Sequence, residues 1–151
     1  MNIDQFFNLV VVIAGIGWII LLFVSPFWLH YNKVVGGIIA VIIAASYTAL
    51  NVLNFRTDLM QKFSSLNGVM ELFSSKPIVT AAWCHILCFD LLVAVWIKRD
   101  SVKRGISHWK IIPALVFTCM LGPFGFLIYM VTRWLCTGRY FPQSTSALVA
   151  S

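Results

Sequence analysis

The stretch that decides the fold is PIVTAAWCHILCFDLLVAVWI, residues 77–97. As a helix rising 1.5 Å per residue, it is long enough to cross the roughly 30 Å of hydrocarbon in a bilayer. Asp90 lies near its middle, where inserting a carboxylate costs about 2.5–3.5 kcal/mol. Because that cost makes such residues rare, Asp90 is the first candidate for function, and His85 lies five residues before it.

The composition around this stretch is that of an integral membrane protein. Of 151 residues, 60% are hydrophobic and 11% are charged, and the mean hydropathy is +0.90, whereas soluble domains carry about 25% charged residues. Four apolar stretches lie at about residues 6–29, 34–55, 77–97 and 109–135. They predict a single all-α domain over residues 1–140, a transmembrane four-helix bundle, with a disordered tail at 141–151. The charge of +6 comes from basic residues that flank these stretches, so we expect lipid headgroups and not nucleic acid as partners.

The connection between the second and third stretches carries its own apolar pattern. Phe63, Leu66, Met70 and Phe73 recur at spacings of three and four, which predicts a short helix with one apolar face. Such a helix is expected to lie in the membrane interface. The alternative is an ordered loop packed on the bundle.

The fourth stretch contains Gly122-Pro123-Phe124-Gly125 near its midpoint. Pro123 lacks an N–H and clashes with a carbonyl one turn before it, so a kink or break is expected. Broken backbone at membrane depth is tolerated beside protein or a water-filled cavity. Because the break and Asp90 are predicted at similar depth, we expect them to form the floor of a pocket. The alternative is a kink that only improves helix packing.

His85 and Asp90 do not share a helix face, since they are about 140° and about 7.5 Å apart on an ideal helix. We therefore expect no direct hydrogen bond between these two side chains. Either each finds a partner on another helix, or both edge a wide cavity. A buried carboxyl beside a neutral histidine would suit acid–base chemistry on an apolar substrate, whereas a carboxyl bonded to its neighbours would only fix helix register. The candidate partners of Asp90 are Ser46, Tyr47, Thr48, Asn51 and Thr118.

A second possible site is the polar run after residue 97. Asp100, Arg104 and His108 are its candidate residues, and the structural alternative is an Asp100–Arg104 pair in a loop whose basic residues meet the headgroups. A metal held by His85, Asp90, Asp100 and His108 would require this loop to fold inward. A haem held by two of His30, His85 and His108 is disfavoured because His30 and His108 lie near membrane ends. We therefore predict no metal and no cofactor. The four cysteines form no C-x-x-C pair and are read as packing residues.

These residues also carry a family resemblance, which extends to about Arg133. The chain resembles the abscisic acid-deficiency-4-like family in three patterns: Trp83-x-His85-x4-Asp90-Leu91, Asp100-Ser101-x2-Arg104-Gly105-x2-His108 and Gly122-Pro123-x-Gly125. The resemblance implies a small four-helix membrane protein. It also implies a link to carotenoid biosynthesis, because the plant member is required in plastids to form neoxanthin from violaxanthin, an epoxide-to-allene isomerisation. The basic loop and the lack of a transit segment point to a bacterial cytoplasmic membrane, so the substrate itself does not carry over.

Two functions follow as expectations. The first is an isomerase-like enzyme acting on a carotenoid or other isoprenoid lipid, with an elongated cavity. In it Asp90 and His85 would be catalytic, and the substrate would touch Tyr47, Asn51, Trp83, Gly122, Pro123 and Gly125. The second is a non-catalytic lipid-binding or accessory membrane protein, in which Asp90 is satisfied by a neighbouring side chain. A transporter would need oligomerisation, because four short helices enclose little space.

Overall fold

The computed structural model describes residues 2–55 and 57–138, and in these ranges every regular element is helical. This confirms the all-α prediction, while the tail predicted to be disordered lies outside the described residues. The helices are α1 (Ile3–Val24), α2 (Tyr31–Leu53), α3 (Leu59–Phe63), α4 (Leu66–Leu72), α5 (Lys76–Lys103), α6 (His108–Leu121) and α7 (Pro123–Thr137).

Three of these helices are long and apolar enough to cross a membrane. They are α1 with 22 residues, α2 with 23 and α5 with 28, and they correspond to the first three predicted spans. The fourth predicted span, at about residues 109–135, is not confirmed, because the chain breaks at Gly122 into α6 with 14 residues and α7 with 15. Each of these is about 21–23 Å long, which is short of the hydrocarbon thickness.

Contact analysis divides the chain within α5 into two compact units, Met1–Trp96 and Ile97–Ser151. In the first unit, α1 and α5 run parallel. The Lys76 Nζ lies 3.0 Å from Asp4 Oδ1 at the start of both helices. Farther along, a Cβ placed on Gly17 would lie 3.1 Å from Leu91 Cδ2, so glycine permits this close approach.

Helix α2 runs antiparallel to both neighbours. Near its start, a Cβ on Gly36 would lie 3.6 Å from Val95 Cγ1, and in its middle the Cys88 thiol donates to the Ala40 carbonyl at 3.4 Å. The three helices enclose a core of small and branched side chains, as their composition predicts. Its buried members include Val10, Ala14, Trp18, Leu21, Val35, Ile39, Ile43, Cys84, Leu91 and Ala94.

The connection from α2 to α5 holds two short helices where the periodicity predicted one. Ser65 separates them, and its hydroxyl caps α4 by accepting from the Gly68 amide at 3.1 Å. A Cβ on Gly68 would clash with the Lys62 backbone, so α4 folds tightly against α3. Lys62 also pairs with Glu71 at 2.6 Å. The fold thus leaves a set of apolar side chains exposed: Met60, Phe63, Leu66, Met70 and Phe73.

In the second unit, α6 and α7 form a helical hairpin. Gly122 ends α6 with φ of +48°, a conformation that favours glycine, and Pro123 begins α7. Gly125 lies directly against the α6 backbone, because a Cβ there would clash with Thr118 and the Ala114 carbonyl. Of the kink or break predicted here, the structure shows a break, after which the chain turns back along α6.

Candidate functional site

A cavity of about 440 Å³ lies in the first unit, at the end of α2 and the beginning of α5. Helix α3 and Phe73 close it from the connecting segment. Its volume is within the range of about 300–1,000 Å³ that is typical of small-molecule sites. The wall is mostly apolar and is formed by Tyr47, Leu50, Asn51, Asn54, Leu59, Phe63, Phe73, Pro77, Ile78, Ala81, Ala82, His85 and Ile86.

His85 is the central polar group of this cavity. Its ring lies beside two aromatic rings, with centroid distances of 5.6 Å to Tyr47 and 4.6 Å to Phe89. No hydrogen bond joins His85 to any residue that the structure describes. Both of its ring nitrogens are therefore available to a ligand, one as a donor and one as an acceptor in the neutral form.

Two asparagines, Asn51 on α2 and Asn54 directly after its end, extend the polar side of the cavity. The Asn51 amide nitrogen donates to the Tyr47 carbonyl, and the Asn54 amide nitrogen donates to the Leu50 carbonyl, both at 2.8 Å. These bonds hold both side chains along their own helix. The amide oxygens then remain as acceptors for a hydroxyl group of a ligand.

Asp90 lies apart from this cavity and is absent from its wall. It is partly buried, and within residues 2–55 and 57–138 it forms no hydrogen bond or ion pair. Two of its predicted partners on α2 are engaged elsewhere, since Ser46 and Thr48 donate to the carbonyls of Ile42 and Ala44 at 2.9 and 3.0 Å. The same holds for Thr118, which donates to the Ala114 carbonyl at 2.8 Å.

The remaining predicted contact residues also lie outside the cavity wall. The Trp83 ring packs near Phe7, at a centroid distance of 6.2 Å. Gly122, Pro123 and Gly125 form the turn of the α6–α7 hairpin, in the second unit. The cavity therefore brings together Tyr47, Asn51 and His85, and it does not include Asp90 or Trp83.

The second unit contains a polar cluster centred on Asp100. Its Oδ2 accepts from Arg104 Nε at 2.8 Å and from the Tyr129 hydroxyl at 2.6 Å, and the Arg133 Nη1 lies 3.6 Å away. We call these four residues the Asp100 cluster. The Asp100–Arg104 pair matches the structural alternative for this loop, whereas His108 lies with its Nδ1 3.0 Å from Lys98 Nζ.

Tyr129 and Arg133 are the members of this cluster that the sequence reasoning missed. They lie one turn apart on α7, and both are almost fully buried, at 0% and 2% exposure. Arg133 lies within the apolar stretch 109–135, much as Asp90 lies within 77–97. A basic residue inside an apolar stretch is a signal for a buried polar site that the sequence does contain.

In the described part of the chain, no group of three or more His, Cys, Asp and Glu residues is placed to hold a metal ion. The charged contacts there are ion pairs and hydrogen bonds. The arrangement of the first unit is that of an apolar ligand pocket with a few polar anchors.

Comparison with known proteins agrees with the motifs. The chloroplastic protein ABA DEFICIENT 4 of Arabidopsis thaliana is 27% identical over 75 residues. That match covers 50% of this chain and 33% of the relative, so the chain spans about a third of its length. No solved structure matches the chain. The model of the ABA DEFICIENT 4-like family matches residues 5–129. The chain therefore belongs to the ABA4-like family.

Proposed function

We propose that this protein is a membrane isomerase-like enzyme that holds one end of a carotenoid or other isoprenoid lipid in the cavity beside His85. The observation that carries the proposal is the cavity itself, whose apolar wall is interrupted by Tyr47, Asn51, Asn54 and His85. An apolar wall with a few polar groups suits a hydrocarbon end group bearing an oxygen. Family membership supports a relation to the proteins of neoxanthin synthesis.

The chemistry needs one proton donor and one base. Opening an epoxide places a proton on the ring oxygen, and forming the new carbon–carbon double bond removes a proton from a nearby carbon, so the product is an isomer. In the cavity, His85 is placed to be the base and the Tyr47 hydroxyl to be the donor, with their rings 5.6 Å apart. Asp90, the donor favoured by the sequence, stays a prediction because it does not line the cavity.

The membrane setting follows from the same segment. The cavity lies near the last turn of α2 and the first turns of α5, which are the ends of two candidate spans. The exposed apolar side chains of α3 and α4 support a position of this connection in the membrane interface, beside the cavity. A lipid would enter laterally from the bilayer. A bacterial cytoplasmic membrane stays a prediction for the compartment.

Turnover of an epoxidised carotenoid by the purified protein in nanodiscs tests the proposal, with products separated by chromatography and identified by mass. Replacing a general base typically lowers the rate by about 10²–10⁴-fold. We therefore expect His85→Ala and Tyr47→Phe to lose at least about a hundredfold. His30→Ala is the matched control, because His30 is exposed and lies outside the cavity wall. Full turnover by His85→Ala would exclude the catalytic role of His85.

A second function, lipid binding without catalysis, is favoured by one specific observation. Among the residues of the cavity wall there is no carboxylate, and only Tyr47 and His85 can exchange a proton. A binding protein would keep its lipid in His85→Ala and lose it when the cavity is filled by Ala82→Trp. Comparing lipid extracts of a deletion strain and wild type by mass spectrometry separates the two functions, since only an enzyme causes a precursor to accumulate.

A further inference from the structure

The buried Arg133 side chain has two hydrogen-bond donors that lack an acceptor among the described residues. Its side chain is 3% exposed, and its Nη1 is the nitrogen that lies near Asp100, at 3.6 Å from Oδ2. The Nε and Nη2 atoms are buried and find no acceptor among the residues that the structure describes. Leaving charged donors unsatisfied in the interior is costly, so this edge of the guanidinium group points to a ligand.

The direction of these two donors indicates which chemical groups could bind them. Nε–H and the adjacent Nη2–H point the same way from the planar guanidinium group. Two parallel donors of this kind match two oxygens of a phosphate or carboxylate. The neighbouring Asp100 carboxylate does not occupy this edge, because its Oδ2 lies near Nη1, at 3.6 Å, while Nε and Nη2 have no acceptor among the described residues.

The charge balance requires an anion as well. In the Asp100 cluster, two guanidinium groups face one carboxylate, which leaves one positive charge over. Residues 97–138 as a whole carry six lysines and arginines and a single acidic residue. A buried excess charge is stabilised when an opposite charge pairs with it.

The position of the cluster along α5 identifies the source of that anion. Asp100 lies 24 residues after Lys76, about 36 Å along the helix, which is beyond the hydrocarbon and at headgroup level. Trp109 and Trp134, which neighbour His108 and Arg133 in sequence, are 78% and 54% exposed. Exposed tryptophans are typical of the membrane interface. Phospholipid phosphates are the abundant oxyanions at this level.

We propose that the Asp100 cluster is a phosphate site that takes a phospholipid headgroup, with the side-on edge of Arg133 as its bidentate donor. Arg104, whose side chain is 20% exposed, is the more accessible of the two guanidinium groups of the cluster. Asp100 and Tyr129 hold the two arginines in place. This site lies in the second unit and is independent of the cavity beside His85.

The test uses the full-length protein, stripped of lipid in detergent and titrated with short-chain phosphatidylglycerol. Native mass spectrometry counts bound lipid, and melting temperature follows stabilisation. We expect one lipid per chain in the wild type. Affinity should fall at least about tenfold in Arg133→Lys, which keeps the charge but loses the fork, and in Arg133→Gln. Arg99→Gln is the matched control, since Arg99 is an exposed cation of the same helix end, and it should bind within about threefold of wild type.

Two further titrations test the source of the anion. Diacylglycerol of the same chain length lacks the phosphate and should not bind the site, so equal binding would overturn the proposal. Inorganic phosphate that binds as tightly as the lipid would reject the headgroup as the source and support a free-phosphate site. If neither Arg133 variant folds, the wild-type titrations decide, and an absence of stabilisation by both phosphatidylglycerol and phosphate refutes the site.

Discussion

Two aspartates of α5, ten residues apart, have contrasting surroundings. Asp90 lies in the middle of an apolar span and forms no bond with any described residue. Asp100 lies near the helix end and binds Arg104 and Tyr129, with Arg133 close by. The depth of an aspartate in an apolar stretch therefore does not determine how many side chains it binds. Asp100 has its partners because the α6–α7 hairpin returns Tyr129 and Arg133 to the end of α5.

The largest effect is expected for the side of the membrane on which α7 ends. If the hairpin re-enters, the loop after α5 and the end of α7 face the same side; a fourth span would place them on opposite sides. We predict that a thiol at Ser107→Cys and the native Cys136 react with an impermeant reagent from one and the same side, in a Cys119→Ala background. Labelling from opposite sides would restore the four-span bundle.

The next largest effect is expected at Asp100. Asp100→Asn removes the negative charge that faces two guanidinium groups, one of them almost fully buried. Removing one partner of a buried ion pair destabilises by about 3–5 kcal/mol, and we expect the lower end because Arg104 is partly exposed. Unfolding in mixed micelles, followed by circular dichroism, measures the change. A loss below about 1 kcal/mol would show that the cluster does not hold the hairpin.

The sequence predicted the helices well and the contacts between them poorly, for a physical reason. Hydropathy and helix length are local properties, so three spans and the break at Pro123 could be read from the chain directly. The return of α7 along α6 depends on the positive φ of Gly122 and on the close fit of Gly125 against α6. Neither feature can be read from hydropathy. The partners of Asp100 are distant in sequence, and only the hairpin brings them close.

The hairpin itself can be tested at Gly125. A methyl group there would clash with the Thr118 backbone and the Ala114 carbonyl. Since overpacking typically costs about 1–3 kcal/mol, we predict that Gly125→Ala destabilises the protein by about 2 kcal/mol. The matched control is Gly15→Ala, because a Cβ on Gly15 would meet nothing within 4 Å. Equal stability of the two variants would contradict the close packing of α7 on α6.

The smallest effect is expected at Asp90, and it sharpens the contrast with Asp100. Asp90→Asn breaks no bond to a described residue. We therefore predict a change in the free energy of unfolding within about 0.5 kcal/mol, the range usual for sites without special contacts. The same mixed-micelle unfolding experiment measures it beside Asp100→Asn.

A loss comparable to that of Asp100→Asn would mean that Asp90 is held by a partner in the membrane, such as a bound lipid or a second copy of the chain. A stable Asp90→Asn variant that nevertheless loses turnover would instead return Asp90 to the catalytic role, because an unpaired carboxyl can be retained for chemistry when it adds nothing to stability.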